Sequence, residues 1–138
     1  MKSTLFVNSE DGMKVAMPHS ENNKRIPLAN EGYFSPAGGL CSNITDMLRY
    51  LDAQLKGTKA SIKLTHEHTA NNIGLGWGVR KNGSVSELQH NGSTQGSTAN
   101  ISAFPTLNSG CVILVNNKVN MGKLIIRVQG IVKTSLYK

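Results

Sequence analysis

From residue 73 onward the period of the apolar side chains changes to two, which a β-strand satisfies and a helix does not. Ile73-Gly74-Leu75-Gly76-Trp77-Gly78-Val79 alternates small and apolar residues and predicts a first strand. Its glycines imply close approach by another backbone or side-chain layer, because each gives up side-chain packing and costs backbone entropy. Asn82-Gly83 is a hairpin turn signal, and it sends a second strand back from Val85 through Glu87 and Leu88 towards His90. A second pair follows, from Ala99 to Phe104, around a turn at Pro105 to Gly110, and on through Cys111 to Val115. The expectation is an antiparallel meander over 73–117.

Helices flank this region. Residues 1–36 are predicted to be an irregular connection, since Pro18, Pro27 and Pro36 interrupt a stretch rich in Asn, Ser and Glu. A connection that long implies function, or packing against a further element. A helix is predicted within 37–57. Asn43 is its N-cap, Asp46 stands where a carboxylate meets free N–H groups, and Lys56-Gly57 closes it. Ile44, Met47, Leu48, Leu51 and Leu55 line one face. A C-terminal helix is predicted over 119–137, with Leu124, Ile125, Val128, Ile131 and Val132 at helical spacing. Gly130 weakens its middle by about 1 kcal/mol relative to alanine. The fold class is therefore α+β: an antiparallel sheet with one helix before it and a C-terminal helix packed on it, in a single partial domain over 1–138.

Composition narrows the partners. A chain of 138 residues with 38% hydrophobic content supports one modest core. The net charge of +7 and pI near 9.7 invite a nucleic-acid reading. The distribution argues against it, because Lys and Arg are scattered from Lys2 to Lys138 and no aromatic residues interleave with them. No apolar run approaches the roughly 20 residues of a membrane span. Leu5-Phe6-Val7 is also too short for the apolar core of a signal peptide. Cys41 and Cys111 have neither metal-ligand spacing nor neighbouring histidines; two free buried thiols or one disulfide fit the sequence, and the thiols fit better. His66-Glu67-His68 lacks the spacing of a helical zinc motif and reads as a polar loop or helix end.

The chemically informative segment is Leu88-Gln89-His90-Asn91-Gly92-Ser93-Thr94-Gln95-Gly96, where a strand runs out into small and polar residues. Taken alone, Asn91-Gly92 is an ordinary turn dipeptide and His90 a surface side chain. The order of several motifs changes that. Pro36-Ala37-Gly38-Gly39-Leu40 before a Ser-Asn-x-x-Asp helix start, Gly74-Leu75-Gly76-Trp77, His90-Asn91-Gly92-Ser93 with Gly96, and Val112-Ile113-Leu114-Val115-Asn116-Asn117 occur in one sequence. Together they resemble the class C β-lactamase, DD-peptidase and esterase family of serine hydrolases.

That resemblance implies the C-terminal portion of a β-lactamase/transpeptidase-like fold, needing no metal or cofactor. In such enzymes a Ser-x-x-Lys serine attacks an amide, lactam or ester carbonyl, a Tyr-x-Asn relays protons, and a Lys-Thr-Gly or His-x-Gly strand forms the third wall. Carried onto this chain, His90 bonds the tyrosine phenol or a substrate carboxylate, and the Ser93 backbone N–H is one of two oxyanion donors. Asn91, Gly92 and Thr94 contact a small-molecule or peptide substrate. Two of the three elements are absent: the one Ser-x-x-Lys match is Ser135 with Lys138, at the end of the chain, and none of Tyr33, Tyr50 or Tyr137 begins a Tyr-x-Asn. The expectation is a fragment inactive alone, with a ligand- or partner-binding remnant as the alternative. Family topology further implies an open edge at Cys111–Val115, covered by an N-terminal half or a second copy. Members of the family are usually exported.

Overall fold

The computed structural model describes residues 1–6, 15–28 and 32–134. Its elements, in chain order, are β1 (Leu5–Phe6), α1 (Ser35–Gly38), β2 (Leu40–Cys41), α2 (Ile44–Lys56), α3 (Ala60–His66), β3 (Gly78–Asn82), β4 (Val85–Ser93), β5 (Thr98–Phe104), β6 (Ser109–Val115) and α4 (Gly122–Thr134). The architecture is α+β. A four-stranded antiparallel sheet runs in the order β3-β4-β5-β6, and β1 pairs with β2 in a small separate ladder.

Local chemistry explains where α2 begins and ends. Asn43 is extended, and its Oδ1 accepts the Asp46 N–H at 2.9 Å, which satisfies one of the free donors of the first turn. The helix therefore starts at Ile44, directly after the predicted cap and inside the 37–57 range. Residues 35–38 form a separate short turn of helix, and the chain straightens into β2 before the cap. Asp46 is 1% exposed and anchors the chain's beginning: its Oδ2 accepts the Ser3 N–H at 2.7 Å and the Thr4 hydroxyl at 3.1 Å, while Arg49 donates to Oδ1 at 2.9 Å. The Ser3 N–H is the largest influence on Asp46, and with Thr4 and Arg49 it outweighs burial and holds the carboxyl at about 2.

The first strand is shorter than the period-two pattern predicts. Residues 73–77 fold back before β3 begins at Gly78, with the Gly74 N–H donating to Trp77 O at 2.8 Å and the Thr69 N–H to Ile73 O at 2.8 Å. The close approach expected of its glycines is present at Gly74, where a Cβ would lie 2.7 Å from Thr65 O and 2.9 Å from Glu67 O. The element it presses against is α3, whose end at His66 fits the polar helix end read at His66-Glu67-His68 and whose body the apolar pattern did not mark. In the β3–β4 hairpin Asn82 pairs with Val85, so Gly83 and Ser84 make the turn, and Gly83 takes a positive φ of 59° in its first central position. The C-terminal helix runs over Gly122–Thr134, inside its predicted bounds; residues 135–138 lie outside the described region.

Strand pairing assigns the two faces of the sheet. Leu88 lies opposite Val79 and Ala103, and Ile101 opposite Val112, so these side chains share the face covered by α2. Leu51 from α2 joins Trp77, Val79, Leu88, Ile101 and Ala103 in the apolar core, with Met47, Leu55 and Val112 packed against them. Tyr50 stacks on Trp77 at 6.3 Å between centroids and His66 meets it edge-on at 6.2 Å. On the other face Thr98, Asn100, Ser102 and Phe104 point towards α4, whose Ile125 and Gln129 are buried.

Candidate active-site wall

The second half of β4 carries His90, Asn91, Gly92 and Ser93, and each is exposed. Their register is set by β5: His90 lies opposite Ile101, Asn91 opposite Asn100, Gly92 opposite Ala99 and Ser93 opposite Thr98. Alternation therefore puts His90 and Gly92 on the α2 face, and Asn91 and Ser93 on the α4 face. Beyond Ser93 the chain turns, with the Thr94 N–H donating to Ser97 O at 2.9 Å. The space a side chain would occupy at Gly92 is empty to 4 Å, so a ligand backbone can lie against the strand there.

Two cavities flank this strand end. One, about 260 Å³, lies between the Gly92–Ala99 segment, the chain around Ala37–Cys41 and the loop containing Pro18 and Ile26; Thr94 is in its lining. Among the described residues no charged side chain lines it, which suits a neutral or acceptor-bearing group. The second, about 330 Å³, lies on the α4 side between Asn91, Ser93, Thr98, Met121 just before α4 and Ile125 in its first turn.

The wall of the first cavity is a segment that pattern reading left as irregular connection. The loop over 15–28 is bolted to the site's end: the His19 N–H donates to Gly96 O at 3.1 Å and Asn116 O at 3.0 Å, and the Lys118 N–H returns to His19 O at 3.0 Å. Asn116 Nδ2 adds a bond to Met17 O at 3.1 Å. Contact is tight enough that a Cβ on Gly96 would stand 2.5 Å from Pro18 Cβ and 2.7 Å from Ile26 Cδ1, which only a glycine avoids. Residues 7–14 and 29–31 of the same stretch lie outside the described residues.

The other residues singled out in the sequence take ordinary roles. His66 ends α3 and its Nε2 meets Gln54 Oε1 at 2.8 Å, and His68 Nε2 accepts the Asn72 N–H at 3.0 Å, so neither ring is directed at a shared metal position. Burial lowers the His66 pKa below its ordinary value. Cys41 and Cys111 are free thiols, and desolvation raises both, so neither is poised as a thiolate nucleophile; at Cys111 the Ser102 hydroxyl and Lys133 pull the other way without reversing it. Among the described residues no hydroxyl bonds to His90, and Ser93 Oγ donates to Thr94 O at 3.4 Å. Ser135 and Lys138 lie outside the described residues.

A buried polar row beneath the site went unread in the sequence. Asn100 (2% exposed), Ser102 (0%) and Gln129 (8%) connect Asn91 on β4 to Glu87 and Lys133. The signal was available: within Thr98–Phe104 the period-two pattern places a polar residue on every α4-facing position before Phe104. A strand buried on both faces with polar residues on one requires partners from the element above it.

Compared with known families, residues 1–132 match the Beta-lactamase family. The chain belongs to that family, and its fold is of the kind serine hydrolases use. No curated protein matches it. No helix among the described residues is long and apolar enough to cross a membrane.

Proposed function

We propose that residues 1–138 supply the third wall of a β-lactamase-like serine hydrolase site and are catalytically silent without a nucleophile from elsewhere. The observation that carries this reading is the open, register-defined end of β4, where Gly92 and Ser93 border a cavity and His90 stands exposed two residues before Gly92 on the same face, in a chain of this family with no usable Ser-x-x-Lys and no Tyr-x-Asn. In this reading a β-lactam, a D-Ala-D-Ala-like peptide or a small ester lies along Gly92. The Ser93 N–H is one of two donors to the oxyanion that forms as the carbonyl is attacked, and His90 bonds the substrate carboxylate or the relay phenol. Asn91 and Thr94 contact the substrate to either side. An oxyanion donor of this kind is worth about 2.7–4 kcal/mol in the transition state.

Among the described residues β6 is the last strand of the four-stranded sheet, and no strand pairs with its outer side. An exposed edge invites strand addition, and we assign it to an N-terminal half of the same enzyme or to a second copy. Light scattering across a concentration series tests this: a monodisperse monomer with a cooperative melt argues against the second copy.

The direct test of silence is covalent labelling with a fluorescent penicillin and with a fluorophosphonate. No labelling of the purified chain is expected, and labelling of any serine in it overturns the reading. A second reading, a ligand-binding remnant without turnover, draws on the two cavities beside Gly92. The two separate on adding a polypeptide that carries Ser-x-x-Lys and Tyr-x-Asn: hydrolysis of a chromogenic cephalosporin restored in trans favours the enzyme half, whereas saturable binding with no turnover favours the remnant.

A further inference from the structure

The buried row beneath β4 has a direction, and the direction reaches the site. Glu87 is ion-paired to Lys133, whose Nζ lies 3.2 Å from Oε2, so the carboxylate can only accept hydrogen bonds. Gln129 must therefore turn its amide nitrogen towards it: Nε2 donates to Glu87 Oε1 at 3.1 Å and to Ser102 Oγ at 2.9 Å. With its oxygen accepting from Gln129, Ser102 sends its single proton onward to Asn100 Oδ1 at 3.1 Å. That pins the Asn100 carboxamide with its nitrogen facing the site strand, and Nδ2 donates to Asn91 Oδ1 at 2.7 Å. Gln89 Nε2 approaches the same oxygen at 3.5 Å.

Asn91 therefore has its acceptor occupied from below. Its Nδ2 meets no acceptor among the described residues, on an exposed side chain at the edge of the 330 Å³ cavity. Reversing any one amide would set nitrogen against nitrogen or oxygen against oxygen inside the sheet, and such mismatches leave buried groups unsatisfied.

We infer that Asn100, Ser102 and Gln129 are positioning residues that fix the Asn91 carboxamide as a pure donor, so that the site reads a hydrogen-bond acceptor on its ligand at this position. The ligand group is a carbonyl or carboxylate oxygen; an ammonium or a hydroxyl used as donor meets the occupied side of the Asn91 carboxamide rather than a free acceptor on it. This rests on the reading of β4 as a substrate-facing strand. None of the three touches the ligand, and their effect passes through Asn91.

The experiment is nuclear magnetic resonance on the full chain labelled with carbon-13 and nitrogen-15. A scalar coupling across the hydrogen bond from Asn100 Nδ2 to the Asn91 side-chain carbonyl carbon is expected. The Asn100 side-chain protons should also exchange with solvent on the order of tenfold more slowly than those of Asn91. Ser102→Ala removes the proton that holds Asn100 and should abolish the coupling, with the Asn91 amide resonances broadened or doubled; Ser102→Thr keeps the hydroxyl and should restore it. A wild-type coupling in the opposite sense, from Asn91 Nδ2 to the Asn100 carbonyl, overturns the inference whether or not the variants fold. So does a coupling that survives Ser102→Ala.

Titration with benzylpenicillin, which carries both a carboxylate and amide carbonyls, separates this inference from the reading beneath it. The Asn91 side-chain amide should shift in wild type and lose most of that shift in Ser102→Ala, with the Gly92 and Ser93 backbone amides shifting in both. Backbone shifts without the Asn91 shift defeat the donor assignment and leave β4 as a site wall. Shifts at neither place defeat the site-wall reading, and the substrate-facing part of the inference with it.

Discussion

The two faces of the four-stranded sheet grow from one alternating strand, Thr98–Phe104, yet they are built on different principles. Towards α2, Ile101 and Ala103 join Leu51, Trp77, Val79 and Leu88 in a contact made wholly of apolar side chains. Towards α4, Asn100, Ser102 and Gln129 are joined in a hydrogen-bonded row, while Thr98 bonds Asn117 O, so this contact depends on donors meeting acceptors. Apolar packing is non-directional and tolerates rearrangement at constant volume, whereas a hydrogen-bonded row has one arrangement that satisfies all its members. The apolar face therefore supplies stability. The polar face adds little net stability and specifies geometry instead, in the half of the sheet that leads to Asn91.

The largest effect is expected on the α2 face: Leu88, 1% exposed, leaves a cavity on truncation, so Leu88→Ala should lower the unfolding free energy by about 2–5 kcal/mol in urea melts. A cost under 1 kcal/mol would mean that α2 is not the stabilising partner of the sheet. Ser102→Ala on the α4 face should cost about 1–3 kcal/mol, because it strands a Gln129 N–H and the Asn100 carbonyl without removing much apolar area. The sharper experiment replaces the row together. Asn100→Val with Ser102→Ala and Gln129→Leu should recover most of that loss while abolishing the ordered Asn91 amide, since removing both partners of a buried bond is nearly neutral. If the triple variant is as unstable as the sum of its parts, the polar row is a stability device and the contrast collapses.

Away from the sheet the effects are smaller. Asn43→Ala removes the cap on α2 and should cost about 1 kcal/mol, read as a matching fall in urea midpoint at constant slope. Asp46 gives an acid signature, because its folded pKa of about 2 lies below the ordinary 3.8. The stabilisation from its Ser3, Thr4 and Arg49 bonds is complete above the unfolded value and is lost as pH falls through the folded one. Wild type should lose stability between about pH 4 and 2 by more than Asp46→Asn does; equal losses would show that this carboxylate does not hold residues 1–6 to α2. His66, with its pKa lowered by burial against Trp77, favours the neutral ring. Its contribution is present above the ordinary value of 6.5 and fades as pH drops through the lowered folded value. A His66 titration midpoint by NMR at or above the ordinary value of 6.5 would contradict this placement.

How much could be read in advance differs by region for the same physical reason. The α2 face was legible because its information is local: Leu51 and Leu55 at helical spacing, and Val79, Leu88 and Ile101 at period two, declare their buried faces without reference to each other. The Asn43 cap and the Gly83 turn were equally local, each depending on three or four consecutive residues. Of α3 only the end at His66 was legible, because Ala60–His66 is short and has no fully buried residue, so no apolar stripe announces its body. The strand predicted from Ile73 stopped short because alternation with glycine fits a folded-back turn as well as an extended chain.

By itself, the sequence determined the fold class, the position of the His90-Asn91-Gly92 strand and, through the order of its motifs, the family. Each of these depends on spacing along the chain, and spacing survives without coordinates. Only the tertiary structure decided that the loop over 15–28 forms a wall of the cavity, because Gly96 and Pro18 meet across 78 residues (96 − 18) and nothing local marks the contact. It also decided which way the Asn91 amide faces. That depends on Glu87, Gln129, Ser102 and Asn100 meeting in one line from three elements, and a hydrogen bond's direction is a property of its neighbours rather than of the residues that form it.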